Sequence, residues 1–232
     1  MSTFTSLVMS TLVLSLLAPA LPADADTSAT QGSSPVLLDP SLADATAPER
    51  FTVRVETTEG PFTVEVVRAW APHGADRFYN LVRAGFYDGC AFFRVIDGFV
   101  AQVGIHPDPE VTAAWKDATI PDDPQVEDNT RGTVTFAKSG APDSRTTQIF
   151  VNYGDNTRLR SYGGFAPFGR VVEGMEVVDA LYSGYGEGAP RGRGPSQGRL
   201  TREGASYLEE QFPKLDRIVS AEVVETAPPP AQ

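Results

Sequence analysis

Phe92-Phe-Arg-Val-Ile-Asp-Gly-Phe-Val-Ala-Gln-Val-Gly104 is the stretch on which the reading of this 232-residue chain turns. Residues 92–100 have β character, with Gly98 as the expected bulge, and Arg94 and Gln102 bracket the aromatic Phe99. Upstream, Phe51-Thr-Val-Arg-Val-Glu56 and Phe62-Thr-Val-Glu-Val-Val67 alternate apolar with polar residues around Thr58-Glu-Gly-Pro61, which predicts a hairpin with one buried face. Residues 71–84 change period. Ala75, Phe78, Leu81 and Val82 share one helical face, Pro72 suits the first turn, and Gly85 supplies the stop. Downstream, short strands are expected at 132–137, 148–151 and 168–172, helices at 174–182 and 201–212, and a closing strand at 218–224. The stretch 184–198 is rich in Gly and Arg and reads as a loop. Many short strands, few helices and 21 glycines point to a mainly β fold, a closed antiparallel barrel rather than a doubly wound sheet.

Composition narrows function by exclusion. With 19 Lys+Arg against 30 Asp+Glu, the net charge of -11 opposes binding to nucleic acid or to an anionic membrane surface, both of which need clustered cations. The single cysteine, Cys90, excludes an intrachain disulfide and a multi-cysteine zinc site. At the N-terminus, the apolar run Leu7 to Leu17 is followed by Pro19 and two A-x-A sites, so residues 1–25 read as an export signal cleaved after Ala25 or Ala20. No Lys or Arg precedes that run, and a retained anchor helix or a misassigned start is the competing reading. Residues 26–48 read as a flexible linker, 49–226 as one domain and 227–232 as a Pro-rich tail.

Conventional catalytic constellations are missing: there is no GxSxG, P-loop or dinucleotide fingerprint. Cys90 reads as a small buried residue, and His73 and His106 lack carboxylate partners nearby in sequence. The acidic run 107–128 is expected to be a solvated loop. No metal or cofactor is expected. The blandest account of Arg94 is a salt bridge at a barrel rim, with the phenylalanines in the core.

Three stretches tip the balance. FFRVIDGFVAQVG (92–104), VEDNTRGTVTFAKSGAPDSRTTQIFVN (126–152) and FGRVVEGMEVVDAL (168–181) resemble, in the right order, the segments that mark the cyclophilin family of peptidyl-prolyl cis-trans isomerases. The resemblance is closest to bacterial secreted members. It implies an eight-stranded closed antiparallel barrel capped by two helices, with an extra C-terminal insertion (184–212) holding a short helix. It implies Arg94 as the catalytic arginine, supported by Gln102. Phe99, Val100, Phe150, Leu159 and Phe165 would line the proline pocket, with Gln148 at a second polar position and Ala137-Lys138 at the pair whose backbone holds substrate. The implied partners are proline-containing segments of unfolded or folding proteins, met outside the cytoplasm by a monomer. Arg158 stands where many members carry a Trp that helps bind cyclosporin, so weak cyclosporin binding is expected. Phe165 replaces the family's histidine. These rim changes also motivate an alternative, a catalytically weak or inactive chaperone or scaffold that grips proline segments on the same fold. An unrelated carbohydrate-binding barrel would need exposed Trp platforms, which Trp70 and Trp115 do not suggest.

Overall fold

The structure, a computed structural model, describes residues 34–224 together with Met1. The expected signal peptide, the start of the linker and the tail therefore lie outside the described residues. Residues 34–48, expected as linker, lie against the domain: Leu37 accepts a hydrogen bond from the Trp115 indole, and Ala47 donates one to Asp76.

Strands β1 (Arg50–Thr57) and β2 (Gly60–Val67) form the expected hairpin, with Phe51, Val53 and Val55 buried. Helix α1 (Pro72–Arg83) follows and buries the predicted face of Ala75, Phe78, Leu81 and Val82. Residues 92–100 do not make the expected bulged strand, and the chain from 92 to 104 turns back on itself. It forms β3 (Arg94–Ile96) and β4 (Val100–Val103), an antiparallel pair in which Arg94 lies opposite Gln102. The Phe99 amide donates to the Ile96 carbonyl at 2.9 Å. Gly98 takes φ +69, a left-handed conformation that closes the turn at little cost for glycine.

The acidic run, expected as a solvated loop, contains a short helix α2 (Pro109–Trp115). Asp108 caps its first turn, Pro109 starts it, and Val111 and Trp115, one turn apart, are buried. Then come β5 (Thr133–Phe136), β6 (Ile149–Asn152), β7 (Pro167–Glu173) and helix α3 (Met175–Ala180). The single helix expected over 201–212 is two, α4 (Gln197–Glu203) and α5 (Ala205–Gln211). Gly204 separates them with φ +63 and ψ -146, outside any helical conformation. Strand β8 (Ile218–Val224) closes the order β3-β4-β6-β5-β7-β2-β1-β8.

The eight antiparallel strands curl into a half-barrel, and here the expectation of full closure is corrected. Among the described residues β3 and β8 share no ladder. The chain before β3 meets the start of β8 instead, through a bridge between Ala91 and Arg217 and hydrogen bonds from Phe92 to the Asp216 carbonyl at 2.9 Å, from Ile218 to the Cys90 carbonyl at 2.9 Å and from Gly89 to the Ile218 carbonyl at 2.8 Å. With three residues, β3 is too short to pair further. α1 packs against β7 and β8, and α3 against β2.

Alternation divides the central strands between two environments. Val95, Ala101, Val103, Ile149 and Val151 point into the main core. Val100 and Phe150, on the opposite face, join Leu159 in a separate apolar patch. All four residues of β4, β5 and β6 are buried because both faces are covered. A third cluster lies under α4 and α5, where Leu200, Tyr207 and Leu208 pack against Ala91, Phe93 and Ile105.

Candidate active site

The separate patch is the floor of a cavity of about 620 Å³. Val100, Phe150 and Leu159 are buried there, with Phe99, Ala137 and Phe165 packed against them. Every residue that the resemblance assigns to catalysis or substrate binding lines this one cavity: Arg94, Gln102, Phe99, Val100, Ala137, Lys138, Gln148, Phe150, Leu159 and Phe165. They come from β3, the turn after it, β4, the residues just past β5, Gln148 at the foot of β6, β6 itself and the segment after it, and strand register assembles them. Arg94 pairs with Gln102 across β3–β4, and Gln102 pairs with Phe150 across β4–β6. An arginine, a glutamine and a phenylalanine thus form a row across three strands.

Along that row runs a directed hydrogen-bond chain. Arg94 Nη1 donates to Gln102 Oε1 at 3.1 Å, and Gln102 Nε2 donates to Gln148 Oε1 at 2.8 Å. A guanidinium can only donate, so the orientation of both amides follows from Arg94. Two guanidinium groups lie over Phe99, with Arg94 5.4 Å and Arg158 5.5 Å from its ring centroid. Asn156 and Tyr153 fix the Phe99 backbone, donating to its carbonyl at 2.8 and 2.9 Å.

At the opposite rim, Lys138 is tied down. Its ammonium is nearly buried and donates to Asp122 at 2.5 Å. Burial raises the Asp122 carboxyl, but the Lys138 hydrogen bond, the Asp143 amide and the charges of Lys138 and Arg145 together outweigh this and leave it below its ordinary value. Behind it, fully buried Arg145 pairs with Asp123 at 2.9 Å, and Asp123 in turn accepts from the His73 and Gly74 amides at the start of α1. The Ala137 amide donates to the Gln148 carbonyl at 2.9 Å, which extends the β5–β6 ladder to the rim. Away from the cavity, Cys90 is buried and its thiol is pushed far up by desolvation, as befits a packing residue.

Sequence reasoning missed a second wall. Glu187, Gly188, Ala189, Pro190 and Arg191, in the stretch read as a loop, also line the cavity. Glu187 grips Arg94 in a bidentate pair, accepting from Nε and from Nη2 at 2.8 Å each. The hydrogen bond from Arg94 holds the Glu187 carboxyl below the ordinary carboxylate range. The one trace in the sequence was that Glu187 is the only acid among the glycines and arginines of 184–198.

The family model for cyclophilin type peptidyl-prolyl cis-trans isomerase/CLD matches residues 52–197, well over half of the chain. The chain belongs to the cyclophilin family. Among its relatives, a peptidyl-prolyl cis-trans isomerase of Acinetobacter baylyi is 35% identical over 152 residues, which cover 63% of this chain and 79% of the relative. Peptidyl-prolyl cis-trans isomerase B of Escherichia coli is 31% identical over 178 residues, 74% of this chain and 98% of the relative. A cyclophilin type isomerase of Cryptosporidium parvum, solved by crystallography, superposes with a TM-score of 0.57 at 20% identity, over 77% of this chain and 99% of that one. The same protein crystallised with the dipeptide Ala-Pro gives 0.55 at 20% identity, over 75% and 99%. The cyclophilin match ends at the start of α4, so both helices of the insertion lie almost wholly beyond it.

Proposed function

We propose that this cyclophilin isomerises X–Pro bonds of exported proteins through Arg94, with the proline ring seated on the Val100–Phe150–Leu159 floor. The reading is carried by one observation: a permanently charged donor is held by Gln102 at the edge of an otherwise apolar floor.

Isomerisation breaks no covalent bond. The barrier is the loss of the amide's partial double bond, which alone makes the change take tens to hundreds of seconds. As the amide twists, its nitrogen pyramidalises and regains a lone pair. A guanidinium directed at that lone pair or at the adjoining carbonyl stabilises the twisted form more than the planar one. An apolar floor around the ring excludes water, which otherwise favours the charge-separated planar amide. The spare amide of Gln148 is a donor for the peptide backbone. Arginine suits the task because it stays protonated at every working pH.

The test is isomerisation of an X–Pro peptide by the wild type and Arg94→Ala. Catalysis should fall by about 10²- to 10³-fold, the scale seen when a preorganised donor is removed. Equal rates would overturn the role of Arg94. Export is supported by the apolar run and A-x-A sites of the first 25 residues. Extracytoplasmic protein whose mature N-terminus is Asp26 or Leu21 would bear it out, and an uncleaved cytoplasmic product would refute it. With Arg158 over Phe99 in place of an aromatic ceiling, cyclosporin should block only weakly, and nanomolar inhibition would contradict this reading.

A further inference from the structure

The insertion lines the pocket with a carboxylate placed on the arginine, and the two functions open to such a group are opposite. It could cover Arg94, or it could aim it.

Three features favour aiming. Glu187 takes one N–H from Nε and one from Nη2, and Gln102 takes one from Nη1. Arginine has five N–H donors in a rigid plane, so one remains on each terminal nitrogen. With one edge and Nη1 gripped, the guanidinium plane is fixed and two N–H groups are left over. Secondly, the cavity of about 620 Å³ persists with Glu187 in place, so the strap is a wall and not a plug.

Thirdly, the strap is built to hold its position. The Gly194 amide donates to the Glu187 carbonyl at 2.9 Å, the Gly192 amide to Gly188 at 3.1 Å, and the Gly188 amide to Glu187 Oε1 at 2.9 Å. On one side Tyr185 stacks edge-on with Phe212 at 5.0 Å. On the other, the Ser196 amide donates to the Tyr207 hydroxyl at 3.0 Å. Tyr207 and Phe212 belong to the cluster that seats α4 and α5 on Phe93, the neighbour of Arg94. The arginine and its carboxylate are therefore mounted on one common support.

We infer that Glu187 is a positioning residue for Arg94, so that the insertion completes the catalytic site of this chain. The inference rests on the role proposed for Arg94. Substrate is met by the remaining N–H groups of an arginine whose orientation is settled before binding, and no rotamer search precedes the twist.

Glu187→Gln keeps size and shape and removes the charge. On a chromogenic X–Pro peptide its kcat should fall about tenfold, with KM changed less than about twofold, as befits lost preorganisation rather than lost binding. In the wild type the Arg94 Nε–H resonance should be shifted and slow to exchange, and in Glu187→Gln it should move to the free arginine position while the backbone amide spectrum is retained. A variant as active as the wild type, or more active, would overturn the inference, and so would an effect confined to KM. Arg94→Ala, assayed alongside, separates the two claims. If it is as active as the wild type, the role of Arg94 itself fails. If it is inactive while Glu187→Gln matches the wild type, only the role of Glu187 fails.

Discussion

The pocket has two walls made by different physics. Val100 and Phe150 in the floor sit on the outer face of strands whose inner face builds the main core, and Leu159 packs onto them from the 3-10 turn after β6, so the floor is as firm as the half-barrel itself. The strap of 187–191 is loop, held by backbone hydrogen bonds and by a small cluster under α4 and α5. The first wall supplies apolar area and the second supplies charge. Apolar area can come from any periodic strand. A charge has to be carried to a specified point, and here that takes a loop with anchors of its own.

The contrast can be broken from either side. Phe150→Ala strikes the floor and should show the largest effect, costing about 3 kcal/mol of stability through the void it leaves. It should also raise KM strongly, because the ring loses its seat. Urea unfolding with parallel kinetics would measure both. A full-sized kinetic loss at unchanged stability would mean that the floor is not part of the core structure.

Leu208→Ala strikes the strap at its anchor, more than one element away from the cavity. About 2 kcal/mol of stability should be lost, nearer the low end for a buried leucine because the cluster is small. A several-fold fall in kcat should accompany it, with KM retained. If kcat is untouched, the strap needs no support from the helices and the two walls are less different than they look.

The smallest effect should come from pH. The Glu187 carboxyl is held low by the Arg94 hydrogen bond, with Arg191 the other cation acting on it. Its folded value lies below its unfolded one, so its contribution to stability is complete above the ordinary carboxylate range. It is lost as pH falls from there through the depressed value. The pair is partly exposed, so solvent screens it and the change should be slight. Subtracting the urea midpoints of Glu187→Gln from those of the wild type should give a difference at neutral pH that vanishes in strong acid. A constant difference would place the stabilisation elsewhere.

Much of this was open to reading in the sequence, for a definite reason. β1 and β2 alternate over eight residues each, and α1 repeats its apolar face over three turns, so local periodicity alone locates them. The site residues were legible through resemblance to family motifs that run over β3 to β6 and the turns beside them. What stayed hidden depends on contacts distant in sequence or on single conformations. The turn between β3 and β4 hides inside an expected strand over 92–100, because a glycine within a β run signals a bulge as readily as a turn. α2 was obscured by the charge of its surroundings, although its cap and its Val111–Trp115 face obey ordinary rules. The break at Gly204 depends on one pair of dihedral angles. The grip of Glu187 on Arg94 spans 93 positions, and no local pattern can announce it.

The tight turn at Gly98 has a consequence that reaches beyond its own residues. It sets the phase of β3 against β4, so that Arg94 faces Gln102 on one side of the sheet while Val95 and Ala101 face each other on the other. One residue added or lost between Ile96 and Val100 would shift that phase by a single step. Arg94 or its partner would then be driven toward the core while apolar side chains turned to the pocket. Packing and chemistry in this hairpin therefore share one clock, and change there should come by substitution and not by insertion or deletion.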